Sequence, residues 1–148
     1  MIELEATPTT RIEEVESRGD LSIFEVNPLA DGYGVTLGNA LRRVLLNSLE
    51  GAAVTSVQVA GVFLEFSTIA NVKEDVTHIV LNINKLRLRS FARHAVTLKL
   101  MKHGAGPVTA ADIAESADVE IVNPELLLLT LDSDAGSIEM DLTVETGV

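Results

Sequence analysis

Within residues 37–49 (LGNALRRVLLNSL), Leu37, Ala40, Leu41, Val44 and Leu45 recur at a helical spacing, with Ser48 beside them. At 100° per residue these positions fall on one stripe, which predicts an amphipathic helix over 37–49. Gly51 stands where a glycine commonly stops a helix. The opposite side carries Asn39, Arg42, Arg43 and Leu46. A leucine flanked by two arginines, where a monomer would show only polar groups, points to an anchor for another protein. The helix is therefore expected to meet something on both sides.

A second helical period runs through 72–86, with Val72, Val76, Ile79, Val80, Ile83 and Leu86 on one face. Glu74 and Asp75 fall in its first turn, where the helix dipole favours negative charge. The remaining patterns predict strands. Residues 21–27 (LSIFEVN) alternate and end at Pro28. Residues 53–59 are rich in β-branched side chains, and 62–66 form a second short candidate after Gly61. Residues 86–91 and 95–101 alternate like paired strands joined near 92–94, and 104–107 read as a loop. Three further strands are expected at 119–122, 126–131 and 137–145, separated by Asn123-Pro124 and by a turn at 132–136. Two helices and about eight short strands make the class α+β, with a mixed or antiparallel sheet. The stripe at 37–49 has only the 72–86 helix to pack on. Otherwise it is covered by another chain or by sequence beyond this one.

Size and composition narrow the picture. A chain of 148 residues suits one domain, or one domain with a sub-domain, and its 47% apolar content argues against disorder. No apolar run approaches a membrane span, and the acidic N-terminal segment (residues 1–20) lacks the pattern of a secretory signal. Zero cysteines exclude disulfides, thiol catalysis and Cys-based zinc sites, and fit a cytoplasmic location. The net charge of −11 is unevenly spread. Residues 51–103 carry three acids and seven bases, whereas 104–148 carry ten acids and no base. The middle of the chain suits an acidic partner and the last third does not.

Candidate chemistry is sparse. His78, His94 and His103 have no acidic neighbour at ligand spacing, and Asp132-Ser133-Asp134 lacks the glycine and glutamate of a calcium loop, so a hairpin turn explains it better. Gly32, Gly34 and Gly38 form a glycine-rich entry to a helix, which in a nucleotide-binding enzyme domain would cradle phosphate. The third glycine is one residue late for the dinucleotide fingerprint, and the Lys-Ser/Thr of a phosphate loop is missing. A conformational role fits better: Gly32 and Gly34 permit positive φ in a tight turn, and Gly38 admits a neighbouring backbone. Lys85, Arg87, Arg89, Arg93, Lys99 and Lys102 suit a phosphate backbone, but only Phe91 lies among them for base stacking. No acid/base pair or nucleophile triad is recognisable. The chain is expected to do no chemistry by itself.

The stretch DGYGVTLGNALRRVLLNSLEGAAVTSVQVAGV resembles the N-terminal domain of bacterial RNA polymerase alpha subunits. The resemblance continues through EFSTIANVKEDVTHIVLNINKL, GPVTAADI, VEIVNP and SIEMDLTVE, in the same order and spacing. It implies a dimerisation layer containing the helix, from residues 1–52, with an inserted mixed or antiparallel β-rich sub-domain over 53–148. It also implies a non-catalytic assembly subunit of a nucleotidyltransferase complex. Two alpha chains pair, then recruit the beta and beta-prime subunits, which hold the active site and its magnesium; no cofactor is implied for this chain. On that resemblance Tyr33, Leu37, Gly38, Leu41, Val44 and Leu45 lie toward the dimer partner, and Arg43 and Leu46 contact the large subunits; Asn39 and Arg42 share that side by helical geometry and are expected to face the same partners. Leu64 stands where relatives often have histidine. The family continues beyond the equivalent of Val148 with the returning strand and helix of the dimerisation layer, a linker and a DNA-binding domain. The chain is therefore expected to be a truncated version without promoter or activator contacts.

Overall fold

Ile138, Met140, Leu142 and Val144 are buried while the residues between them face outward, so 137–147 reads as a strand with one face in a core. In the computed structural model, which describes residues 9–64 and 66–148, that strand is the hub of a five-stranded sheet. The elements in order are β1 (Arg11–Arg18), β2 (Leu21–Asn27), α1 (Tyr33–Asn47), β3 (Gly51–Val59), α2 (Val76–Ile83), β4 (Leu88–Ser90), β5 (Val96–His103), β6 (Gly106–Thr109), a 3-10 turn (Ala110–Asp112), β7 (Val119–Ile121), β8 (Leu127–Leu131) and β9 (Ser137–Gly147). The chain divides into two units, Met1–Leu49 and Glu50–Val148.

The second unit holds the core. Its large sheet has the order β5-β9-β3-β4-β7, and β6 and β8 form a separate pair; every pairing is antiparallel. In β3 the inward residues are Ala52, Val54, Val57 and Val59, which strict alternation does not allow. A bulge between Val54 and Ser56 supplies the extra residue and restores the inward face. Leu98 and Leu100 of β5, Leu128, Leu129 and Leu131 of β8, and Ile79 and Ile83 of α2 pack with β9 in the core cluster.

Several sequence expectations change here. The helix predicted over 72–86 shortens to 76–83, because Asp75 is its N-cap, with its carboxylate accepting from His78 N at 2.7 Å. Val72 and Leu86 are buried, but from outside the helix, and Val80 is half exposed rather than inward. Glu74 lies before the helix, and its carboxylate accepts from Thr130 N (2.7 Å) and Thr130 Oγ1 (3.0 Å). The strands expected at 86–91 and 95–101 do not pair with each other: β4 pairs with β3 and β7, and β5 pairs with β9. The strand expected at 62–66 is absent among its described residues, and Glu65 lies outside them. The loop expected at 104–107 ends at Gly106, where β6 begins. The turn at 132–136 is held by Asp132 N to Asn71 O and Gly136 N to Ser133 O, but it passes from β8 to β9, which belong to different sheets, so it closes no hairpin.

In the first unit, β1 and β2 form a hairpin turning at Gly19-Asp20, with Gly19 at φ 54. No element is expected from the sequence before Leu21, so β1 is an addition of the structure; residues 1–8 lie outside those described. Not one described residue of this unit is buried; Glu16, Val26, Leu29 and Leu37 are half-buried.

Candidate functional site

Helix α1 starts four residues earlier than its apolar pattern. Gly32 takes the left-handed conformation at φ 78 as N-cap, and Tyr33 N closes onto Ala30 O at 3.0 Å. The helix ends at Asn47, where Ser48 N donates to Val44 O at 2.9 Å, so Gly51 does not stop it and instead opens β3. Of the three glycines, only Gly32 lies outside the helix. Gly34 and Gly38 are helical, and a Cβ at either would meet nothing within 4 Å. Gly34 is therefore not a positive-φ turn residue, and among the described residues no backbone comes within 4 Å of where a Cβ at Gly38 would lie. The phosphate-cradling turn of the nucleotide-binding alternative is not formed, since its second and third glycines belong to the helix itself.

No residue of α1 is buried. Tyr33, Leu41, Val44 and Leu45 are exposed on the apolar stripe, and Leu37 is half-buried. Asn39, Arg42, Arg43 and Leu46 are exposed on the opposite side, with Leu46 at 69%. Both sets named from the sequence thus remain open on one helix. The early start also makes Val35 helical and 74% exposed. It lies four residues before Asn39, seven before Arg42 and eleven before Leu46, so it joins the second side. Sequence reasoning missed it because the helix was expected to begin at Leu37; its spacing from Asn39 and Leu46 was the available signal.

The other candidates disperse. Of the basic set, Arg89 pairs with Glu120, Lys99 with Asp141 and Lys102 with Asp112 at 2.8 Å, so at least half of its charge is neutralised within the second unit. Partial burial pushes the Asp112 carboxyl up, but hydrogen bonds from Lys102 and from the Thr109 amide outweigh it and hold it below the ordinary range. The His78 amide, and then the His78 ring at 2.8 Å, keep the Asp75 carboxyl low. No cluster of three His, Cys, Asp or Glu side chains suited to a metal is present among the described residues. None of the described helices is long and apolar enough to cross a membrane. A groove of about 570 Å³ lies between β3, the segment carrying Phe63, Leu64 and Phe66, and α2. Those three side chains are exposed, and the sequence placed them in a strand.

Residues 57–148 match the family described as RNA polymerase Rpb3/RpoA insert domain. The DNA-directed RNA polymerase subunit alpha of Roseiflexus sp. (strain RS-1) is 55% identical over 137 residues, 93% of this chain and 42% of that protein. The subunit alpha proteins of Bacillus velezensis and Desulforudis audaxviator are 51% and 48% identical, covering 99% of this chain and 46% of theirs. The chain spans less than half the length of these relatives. It belongs to the RNA polymerase Rpb3/RpoA insert-domain family.

Proposed function

We propose that the chain is a non-catalytic assembly subunit of a bacterial DNA-directed RNA polymerase, a nucleotidyltransferase complex of the cytoplasm. Residues 1–52 form half of a dimerisation layer and 53–148 the inserted β-rich sub-domain, a division supported by the insert-domain match over 57–148. The apolar stripe of α1 packs on a second copy, and Asn39, Arg42, Arg43 and Leu46 face the beta and beta-prime subunits. Magnesium and the reacting nucleotides belong to those large subunits.

One observation carries the reading: the first unit buries none of its described residues, yet it holds a fifteen-residue helix with apolar side chains on both sides. Fixing each residue costs about 1–2 kcal/mol of backbone entropy, and this unit has almost no internal apolar burial to offset it. Its stability comes from surfaces outside the chain, as in obligate subunits.

Light scattering of the purified chain is expected to give twice the chain mass, and Leu41→Glu with Val44→Glu to return it to monomer. Arg43→Ala is expected to remove a desolvated arginine worth about 2 kcal/mol or more, weakening capture of the beta subunit at least roughly 30-fold. A monomeric chain that captures no beta subunit refutes the proposal.

A further inference from the structure

We infer that the partner surface met by the second side of α1 is an acidic strip with an apolar socket at each end, and that Val35 fills the socket opposite Leu46. This rests on the assembly-subunit reading and extends it to the chemistry of the partner. Val35, Asn39, Arg42 and Leu46 stand at i, i+4, i+7 and i+11, within an arc of about 60° around the helix. Val35 and Leu46 are 74% and 69% exposed and lie roughly 16 Å apart along the axis.

Between those two ends sits Arg42, with Arg43 on its flank; they are the only charged residues of the helix. Neither has a hydrogen-bond or ion-pair partner among the described residues, although acids outnumber bases 22 to 11 in the chain. Two unpaired guanidinium groups lose their hydration when a surface closes over them, and anionic acceptors at matching positions are needed to compensate for it. An uncharged partner would strand both charges. A phosphate backbone would satisfy the arginines but leave Val35 and Leu46 in water. The occupant is therefore a protein surface bearing carboxylates between two apolar depressions.

The test is equilibrium binding of the 148-residue chain to purified beta subunit across a salt series. Val35→Ala is expected to weaken binding about 5- to 10-fold through the lost apolar contact, while Val35→Leu stays within about 2-fold. Alanine favours helix over valine, so this loss cannot come from unfolding of α1; far-UV circular dichroism checks it. Arg42→Gln with Arg43→Gln is expected to weaken binding and flatten its salt dependence. Unchanged binding by Val35→Ala, beside a weakened Arg43→Ala, overturns the role of Val35 and keeps the assembly reading. A salt dependence that survives loss of both arginines overturns the acidic strip. If the unsubstituted chain does not bind beta, or Arg43→Ala binds as well as it does, the assembly reading itself falls and takes this inference with it.

Discussion

Replacing Glu74 by alanine tests how the segment before α2 is tied to the core. The chain leaves a bridge between Val72 and Leu131, Lys73 N then donates to Thr130 O at 3.0 Å, and Glu74 accepts from the amide and hydroxyl of the same threonine. The carboxylate thus completes a ladder rung just where the backbone turns away into the helix. Thr130 lies between the buried Leu129 and Leu131, and both its amide and its carbonyl are engaged by residues 73 and 74. Without Glu74 the Thr130 amide has no acceptor in a half-buried site. A lost charge-assisted hydrogen bond plus an unsatisfied donor costs about 2–3 kcal/mol in total. For a chain of this size that is a fall in Tm of about 5–10 °C. Glu74→Gln keeps the shape, with its oxygen on the Thr130 amide and its NH2 toward the hydroxyl, which can accept; it loses only the charge and is expected to cost about half as much. Thermal and urea melts followed by circular dichroism measure the change, and hydrogen exchange at the Thr130 amide localises it. A Glu74→Ala chain within about 0.5 kcal/mol of the original, with Thr130 protection unaltered, refutes the reasoning.

Two further predictions concern the same unit. Asp112 and Asp75 are both held below the ordinary carboxylate range, so the stability they confer is fully present above their unfolded values and is lost as pH falls through the lower folded ones. The urea midpoint is expected to be flat near neutrality and to drop below about pH 4, with a shallower drop in Asp112→Asn; an equal drop in that variant counts against the assignment. At Gly136 a Cβ would lie 2.9 Å from Ser133 O and 3.1 Å from Asn71 Cβ, both part of the chain's own turn structure. Gly136→Ala is expected to cost about 1–3 kcal/mol in a urea titration, and a neutral result would show that the turn yields freely.

Where hydrophobic period and local structure coincide, the chain was readable in advance. The alternation of Ile138, Met140, Leu142 and Val144 marks β9, and the opposed faces of α1 are visible in its spacing. The misses have identifiable physical origins. The bulge between Glu14 and Glu16 separates Ile12 and Val15 by three residues, so β1 does not show period two. Val72 and Leu86 continue the spacing of α2 but are buried by a bridge and a turn, which a helical period cannot distinguish from another turn of helix. Gly106-Pro107 reads as punctuation, yet proline is tolerated in β6 because the strand pairs only with β8. The order β5-β9-β3-β4-β7 joins strands far apart in the chain, and no local pattern encodes it. At α1 the glycines disguised the helix start, which hid Val35 while leaving Arg43 and Leu46 in view.

The position of β9 between β3 and β5 sets the order in which this unit can come together on the ribosome. Two edges synthesised earlier must each wait, unmatched, for residues 137–147 to emerge and fill the gap between them. The gap is filled by a strand made after both of its neighbours, a long-range step that is slow by loop-closure entropy and leaves two bare templates for stray pairing in the meantime.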